Sequence, residues 1–121
     1  MKIEKNAAGL YVFSIGARFK GKQRVFNGLV DTGSTICAST YHIITTLRAR
    51  PTSFKKVANP MQAPIKALGY SLKFTFDGKS AMTNVYRLPL DMPGIDFILG
   101  MPILDLCKIT MGSDTMEIEW L

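Results

Sequence analysis

Histidine occurs once and cysteine twice in these 121 residues, and that scarcity removes whole classes of chemistry. A lone His42 rules out multi-histidine metal centres. Cys37 and Cys107 are too few for a disulfide scaffold and show no CxxC or Cys/His ligand spacing, so the residues call for no metal. They read as buried free thiols of a reducing compartment, which makes the cytoplasm the expected location. Cys37 and His42 could nominally build a thiol protease, but five residues apart they need not face each other. No apolar stretch approaches the roughly 18 residues that cross a bilayer, and the Met1–Lys5 start lacks the apolar centre of a signal peptide. There is thus no membrane segment in these residues, although an anchor flanking them stays open. Repeats and low-complexity runs are also missing. With 47% hydrophobic and 20% charged residues the chain has an ordinary globular composition, enough for one core and too short for two lobes. One domain over residues 1–121 is expected, with no room for an internally duplicated enzyme.

Acidic residues are scarce as well: 9 Asp and Glu stand against 15 Lys and Arg, a formal charge of +6. Such a balance suits an acidic partner such as nucleic acid. The densest basic group, Arg18, Lys20, Lys22 and Arg24, surrounds Gly21 at the tip of an expected hairpin, with no aromatic platform or nucleic-acid motif beside it. It reads as a solvated face. A nucleic-acid-binding β-domain would rest on the charge alone, and nucleic acid is not the partner expected.

What is present is a succession of short strands. Leu10 to Ile15 continues through Ala17–Lys20 to Gly21, and Arg24–Phe26 returns towards Leu29 and Val30. Ser39 is placed to cap a short helix through His42, Ile43 and Leu47, which Pro51 prevents from continuing. Ser53–Val57 and Ile65–Leu68 are extended candidates separated by Ala58–Pro64, whose prolines should interrupt ladder pairing and mark a protruding loop. Ser71–Phe76 alternates polar and apolar residues, Asp77-Gly78 is a turn dipeptide, and Met82 to Leu90 returns. Ile95–Leu99 is the most apolar strand; Gly100 ends it, and Pro102 suits a first helical turn. A last hairpin, Lys108–Met111 with Thr115–Trp120, completes a mainly-β barrel or sandwich with one or two short helices.

Within this pattern Gly28, Leu29 and Val30 lead into Asp31-Thr32-Gly33-Ser34, a carboxylate on a tight turn at a strand end. Two facing carboxylates cannot both ionise cheaply, so one keeps a proton and the pair supplies base and acid together. Gly33, without a Cβ, lets backbone approach the acid, and the hydroxyls of Thr32 and Ser34 are candidate donors to it. Ser34 in particular is expected to bond the carboxylate and favour its ionised form. Asp91, Asp96 and Asp105 are not followed by Thr-Gly or Ser-Gly and are adequate as turn, strand-edge or helix acids. The second acid should therefore come from another copy of the chain.

A further signature, Phe97-Ile98-Leu99-Gly100, lies about 65 residues beyond the triplet. Through these two motifs and their order, from about Leu10 to Trp120, the chain resembles the retropepsin-like aspartic proteases. The resemblance implies an all-β acid-protease barrel that is homodimeric, with one Asp31 from each subunit and a water between them. No metal or organic cofactor is implied. Asp31 would be the catalytic acid/base, Thr32 would bond across the dimer axis, and Gly33 and Ser34 would serve loop support and substrate backbone binding. Ile98, Leu99 and Gly100 would support the acidic loop. A flap would span about 53–68, with Asn59, Pro60, Met61 and Gln62 at its tip and Met61 a candidate pocket residue.

Three departures accompany this likeness. Thr35 and Met101 stand where many viral members have an aspartate and an arginine, and their joint absence leaves no unpaired buried charge. This favours a cellular, bacterial or retrotransposon-type member, whose dimer contacts would involve the terminal strand through Trp120. The flap tip also lacks the viral glycines, which bears on substrate closure. The expected activity is hydrolysis of peptide bonds between bulky apolar residues in a polypeptide substrate. The alternative is a non-catalytic binding or dimerisation module on the same fold.

Overall fold

The computed structural model describes residues 1–59 and 62–121, without the side chains of Asn59 and Gln62. The expected flap tip at Pro60 and Met61 thus lies outside the described residues. The elements are β1 (Lys2–Glu4), β2 (Val12–Phe19), β3 (Lys22–Val30), β4 (Cys37–Ser39), α1 (Tyr41–Leu47), β5 (Ser53–Asn59), β6 (Gln62–Phe76), β7 (Lys79–Arg87), β8 (Phe97–Leu99), α2 (Met101–Leu104), β9 (Cys107–Met111) and β10 (Thr115–Trp120).

Two hairpins make most of the framework. β2 and β3 run in register from Val12↔Leu29 to Phe19↔Lys22 around Lys20-Gly21. β6 and β7 run from Gly69↔Tyr86 to Phe76↔Lys79. Their turn has Asp77 at φ 51° and Gly78 at φ 79°, the two left-handed positions whose twist matches that of the strands they join. The larger sheet has the order β2-β3-β8-β4-β7-β6-β5, and β2 pairs again with β6. Six strands therefore close into a barrel, which removes their free edges, and β5 hangs outside the ring. Alternation in β6 sends Leu72, Phe74 and Phe76 inward and leaves Lys73 exposed. The core they join includes Ile15, Ile43, Leu47, Phe97, Leu99 and Ile103, all fully buried. Each such side chain contributes about 2–3 kcal/mol of hydrophobic stabilisation.

The second sheet, β1-β10-β9, lies across one end. It is tied on by Trp120, whose indole stacks on Phe76 with ring centroids 4.3 Å apart and whose Nε1–H donates to the Phe76 carbonyl at 2.8 Å. β10 is the middle strand, bonded to β1 on one side and β9 on the other. Its backbone is thus paired on both sides within the chain, with β1 over Thr115–Glu117 and with β9 over Met116–Trp120.

Local details differ from expectation for identifiable reasons. Thr40, not Ser39, precedes α1, and it makes no side-chain cap bond. Ser39 belongs instead to β4 and is fully buried. The helix stops at Arg48, which is left-handed at φ 50°, before Pro51 is reached. Pro64 does not interrupt the arm: it sits inside β6, and the β5–β6 register shifts between Val57 and Asn59. Up to Leu68, β6 pairs with β5 alone, so the missing proline N–H falls where a bulge and a free edge tolerate it. The extended arm standing off the body is otherwise as the sequence suggests.

Candidate active site

β8 lies between β3 and β4, parallel to the first (Gly28↔Phe97, Val30↔Leu99) and antiparallel to the second (Ala38↔Ile98). The turn that joins β3 to β4, residues 31–36, must therefore arch over the end of β8. Phe97 needs the space that Gly28 leaves, since a Cβ on Gly28 would lie 2.7 Å from its ring. Gly100 sits directly under the arch, where a Cβ would come within 2.0 Å of the Ile36 carbonyl oxygen and 2.9 Å of that of Ser34. Only glycine fits that close approach.

Backbone bonds fix the arch at both ends. Asp31 N–H donates to the Leu99 carbonyl at 3.0 Å, Met101 N–H donates to Ser34 O at 2.9 Å, and Ser34 N–H donates to Asp31 O at 3.2 Å. Gly100 N–H points to Cys37 Sγ at 3.4 Å. Burial pushes the Cys37 thiol up from its ordinary range, against the smaller opposing effects of backbone N–H groups at Gly100 and Ile103. Cys37 is thus a neutral packing group, and the exposed His42 packs edge-on to Phe26 rather than against it. A Cys37–His42 thiol dyad does not form.

The Asp31 carboxylate is half-buried and accepts a hydrogen bond from Gly33 N–H at Oδ1, 2.9 Å. The donor is backbone, and the glycine leaves room beside the acid, since a Cβ on Gly33 would lie 3.3 Å from the same Oδ1. The Ser34 hydroxyl turns away and donates to the Ile36 carbonyl at 2.7 Å, so the expected bond to the carboxylate is not made. Ser34 stiffens the arch instead. Thr32 and Gly33 are exposed at its tip. Met101 contributes a main-chain bond in the position where its side chain offers no charge, and Thr35 is exposed. The Thr35 and Met101 pair leaves no orphan there.

The remaining carboxylates are elsewhere. Asp96 accepts from Asn27 N–H at 2.8 Å and exchanges main-chain bonds with Asn27 and Thr40, a structural brace. Asp77 faces the Met1 amine at 3.5 Å. Arg18 and Arg24 bond carbonyls of their own exposed hairpin. Among the described residues no group of three or more His, Cys, Asp or Glu side chains gathers, and no helix is long and apolar enough to cross a membrane.

Beside the arch opens a cleft of about 430 Å³, floored by Ala38 and Ile98, bounded by Gly33–Ile36 and walled by Lys55–Ala58 of β5 and by Leu88. No signal in the sequence places Lys55 and Lys56 of β5 in the cleft beside the acidic turn; their place follows from β5 being the strand outside the ring.

No protein-family model and no curated protein matches this sequence. Solved structures do match in shape. A retropepsin-like aspartic protease from Rickettsia conorii superposes with a TM-score of 0.68 at 21% identity, over 98% of this chain and 88% of that one. EIAV protease complexed with the inhibitor HBY-793 gives 0.65 at 16% identity, over 83% and 89%. A foamy viral protease-reverse transcriptase in complex with double-stranded DNA gives 0.56 at 18% identity, over 83% of this chain and 16% of that much longer one. With its closed six-stranded barrel, its two short helices and its acidic turn arched over an apolar-Gly strand, this chain has the fold of the retropepsin-like aspartic proteases.

Proposed function

We propose that this chain is an aspartic endopeptidase that acts as a homodimer, each copy supplying one Asp31 to a shared site. The observation that carries this reading is the Asp31 turn: a carboxylate held by the Gly33 N–H at 2.9 Å, at the half-exposed tip of an arch whose shape is fixed from beneath by Leu99 and Gly100. A lone carboxylate so rigidly presented, with Thr32 and Gly33 uncovered beside it, suits a surface that meets its own copy.

In the assembled site one Asp31 would be ionised and the other protonated. The ionised acid takes a proton from water as the water oxygen adds to the scissile carbonyl carbon, while the protonated acid donates to the carbonyl oxygen. On collapse of the tetrahedral intermediate the acid that took the water proton gives it to the amine nitrogen as the C–N bond breaks, and the other acid takes a proton back from a gem-diol hydroxyl, leaving a carboxylic acid, an amine and a dyad that again holds one proton. Gly33 would bind substrate backbone, Thr32 would bond across the two-fold axis, and Ser34, Ile98, Leu99 and Gly100 would hold the arch. We read residues 1–121 as one such domain, with 53–68 as its flap and Asn59, Pro60, Met61 and Gln62 as the tip. Apolar Ile36, Ala38, Val57, Leu88 and Ile98 around the cleft favour bulky apolar residues at the cut bond. Two buried thiols suit a cytoplasmic setting.

The deciding experiment incubates the wild type and Asp31→Asn with a peptide library from acid to neutral pH and identifies cut bonds by mass spectrometry. Cuts made by the wild type alone are expected. Cleavage by both proteins, or by neither, overturns the assignment and leaves the fold as a binding or dimerisation module.

A further inference from the structure

Between Asp31 and Asp77 the sequence has no acidic residue and six basic ones: Arg48, Arg50, Lys55, Lys56, Lys66 and Lys73. Three of them, Lys55, Lys56 and Lys66, lie on the β5–β6 arm, and among the described residues none is within ion-pair distance of a carboxylate. Lys56 stands directly across from Lys66 in the ladder, an arrangement of like charges that destabilises a hairpin unless an anion lies nearby.

Lys55 and Lys56 both line the cleft, whereas Lys66 lies over the Phe54 ring at 4.3 Å and does not; of the two in the cleft, Lys55 is the one held over an aromatic ring. It shares the face of β5 that carries Ser53 and Val57, and through Ser53↔Gly69 and Gly69↔Tyr86 that face continues onto β7. Its ammonium lies 5.9 Å from the centroid of the Tyr86 ring, and its side chain lines the cleft that begins at Gly33 and Ser34. An exposed lysine with no ion-pair partner among the described residues, lying over an aromatic ring on the wall of a cleft that Ile36, Ala38, Val57, Leu88 and Ile98 also line, is a receptor for one negative charge.

We infer that Lys55 is a specificity-determining residue that selects polypeptides with a Glu or Asp side chain flanking the apolar residues in the cleft. The inference rests on the peptide-binding reading of the site, but not on turnover. An extended peptide alternates its side chains, so an acidic residue can reach the β5 wall while its neighbours fill the apolar floor.

The test uses fluorescein-labelled decapeptides with an apolar central pair and Glu or Gln walked through the flanking positions. Binding to the Asp31→Asn chain is read by anisotropy at low and high salt. At one flanking position the Glu peptide should bind about three- to tenfold more tightly than its Gln twin, and added salt should erase the difference. Lys55→Gln should level the two affinities and Lys55→Glu should invert them, with unchanged thermal melts showing that both variants fold. Equal affinity of the Glu and Gln peptides, no binding at all, or a preference that survives Lys55→Glu overturns the inference. The same peptides given to the wild type separate the two readings. Acid-selective binding without any cut removes the protease alone; cuts without acid preference remove the Lys55 role alone.

Discussion

At the scale of single residues the acidic turn is a problem in clearance. Gly100 passes beneath the Ile36 and Ser34 carbonyls, so Gly100→Ala forces the arch upward or β8 downward. A loss of about 2–4 kcal/mol is expected from overpacking against backbone that cannot yield, read as a lowered urea midpoint at unchanged slope, and peptide cleavage should vanish even where the variant still folds. Cys37 gives a pH signature. Its thiol is buried and its pKa lies above the value it takes in the unfolded chain. The unfolded state therefore releases a proton first as pH rises: the contribution is intact below about pH 8.5 and is lost above it, with a slope of at most about 1.4 kcal/mol per pH unit. Thermal melts from pH 7 to 10.5 should fall more steeply for the wild type than for Cys37→Ala. Legibility was uneven at this scale. Asp31 and Gly33 could be named from the sequence because an Asp-Thr-Gly turn after an apolar strand is a recognisable pattern, and the glycine does sit close against the acid. The direction of the Ser34 hydroxyl could not, because two acceptors compete for it and only the path of the arch makes Ile36 O the nearer.

At the scale of elements, the strands that announce themselves by alternation or by a turn dipeptide, such as β6 and β7 around Asp77-Gly78, could be read directly. The strands that could not be read, β1 and β4, are three residues long, and their existence depends on partners more than 40 residues away. No local period encodes such a pairing. The same holds for Pro64, which by itself argues against a strand and is tolerated only because β6 has one free side there. The docking of the small sheet turns on a single aromatic. Trp120→Phe keeps the stack on Phe76 but removes the Nε1–H donor, and should cost about 1 kcal/mol; Trp120→Ala should cost about 3 kcal/mol or more. Chemical denaturation of the two variants side by side distinguishes the hydrogen bond from the burial.

At the scale of the whole molecule the barrel accounts for one carboxylate and no more, and the proposed activity must then depend on concentration. Specific activity should fall on dilution in parallel with a shift from dimer to monomer in sedimentation velocity. Mixing the wild type with an equal amount of Asp31→Asn and allowing subunits to exchange should leave about half of the activity, because mixed pairs hold a single acid. A chain that works alone would keep all of it. With β10 enclosed between β1 and β9, the strand edges open to a partner include the outer edges of β1, β9 and β5.

The insertion of β8 between β3 and β4 also sets an order of events during synthesis. Residues 31–36 leave the ribosome early, yet the rail over which they bend arrives only with residues 97–100, and long-range closures of this kind are slow. A nascent chain that stops short of Phe97 has the aspartate but lacks the Leu99, Gly100 and Met101 contacts that fix its turn from beneath. Whatever this protein does with that acid, it is disarmed by construction until translation of the domain is nearly finished.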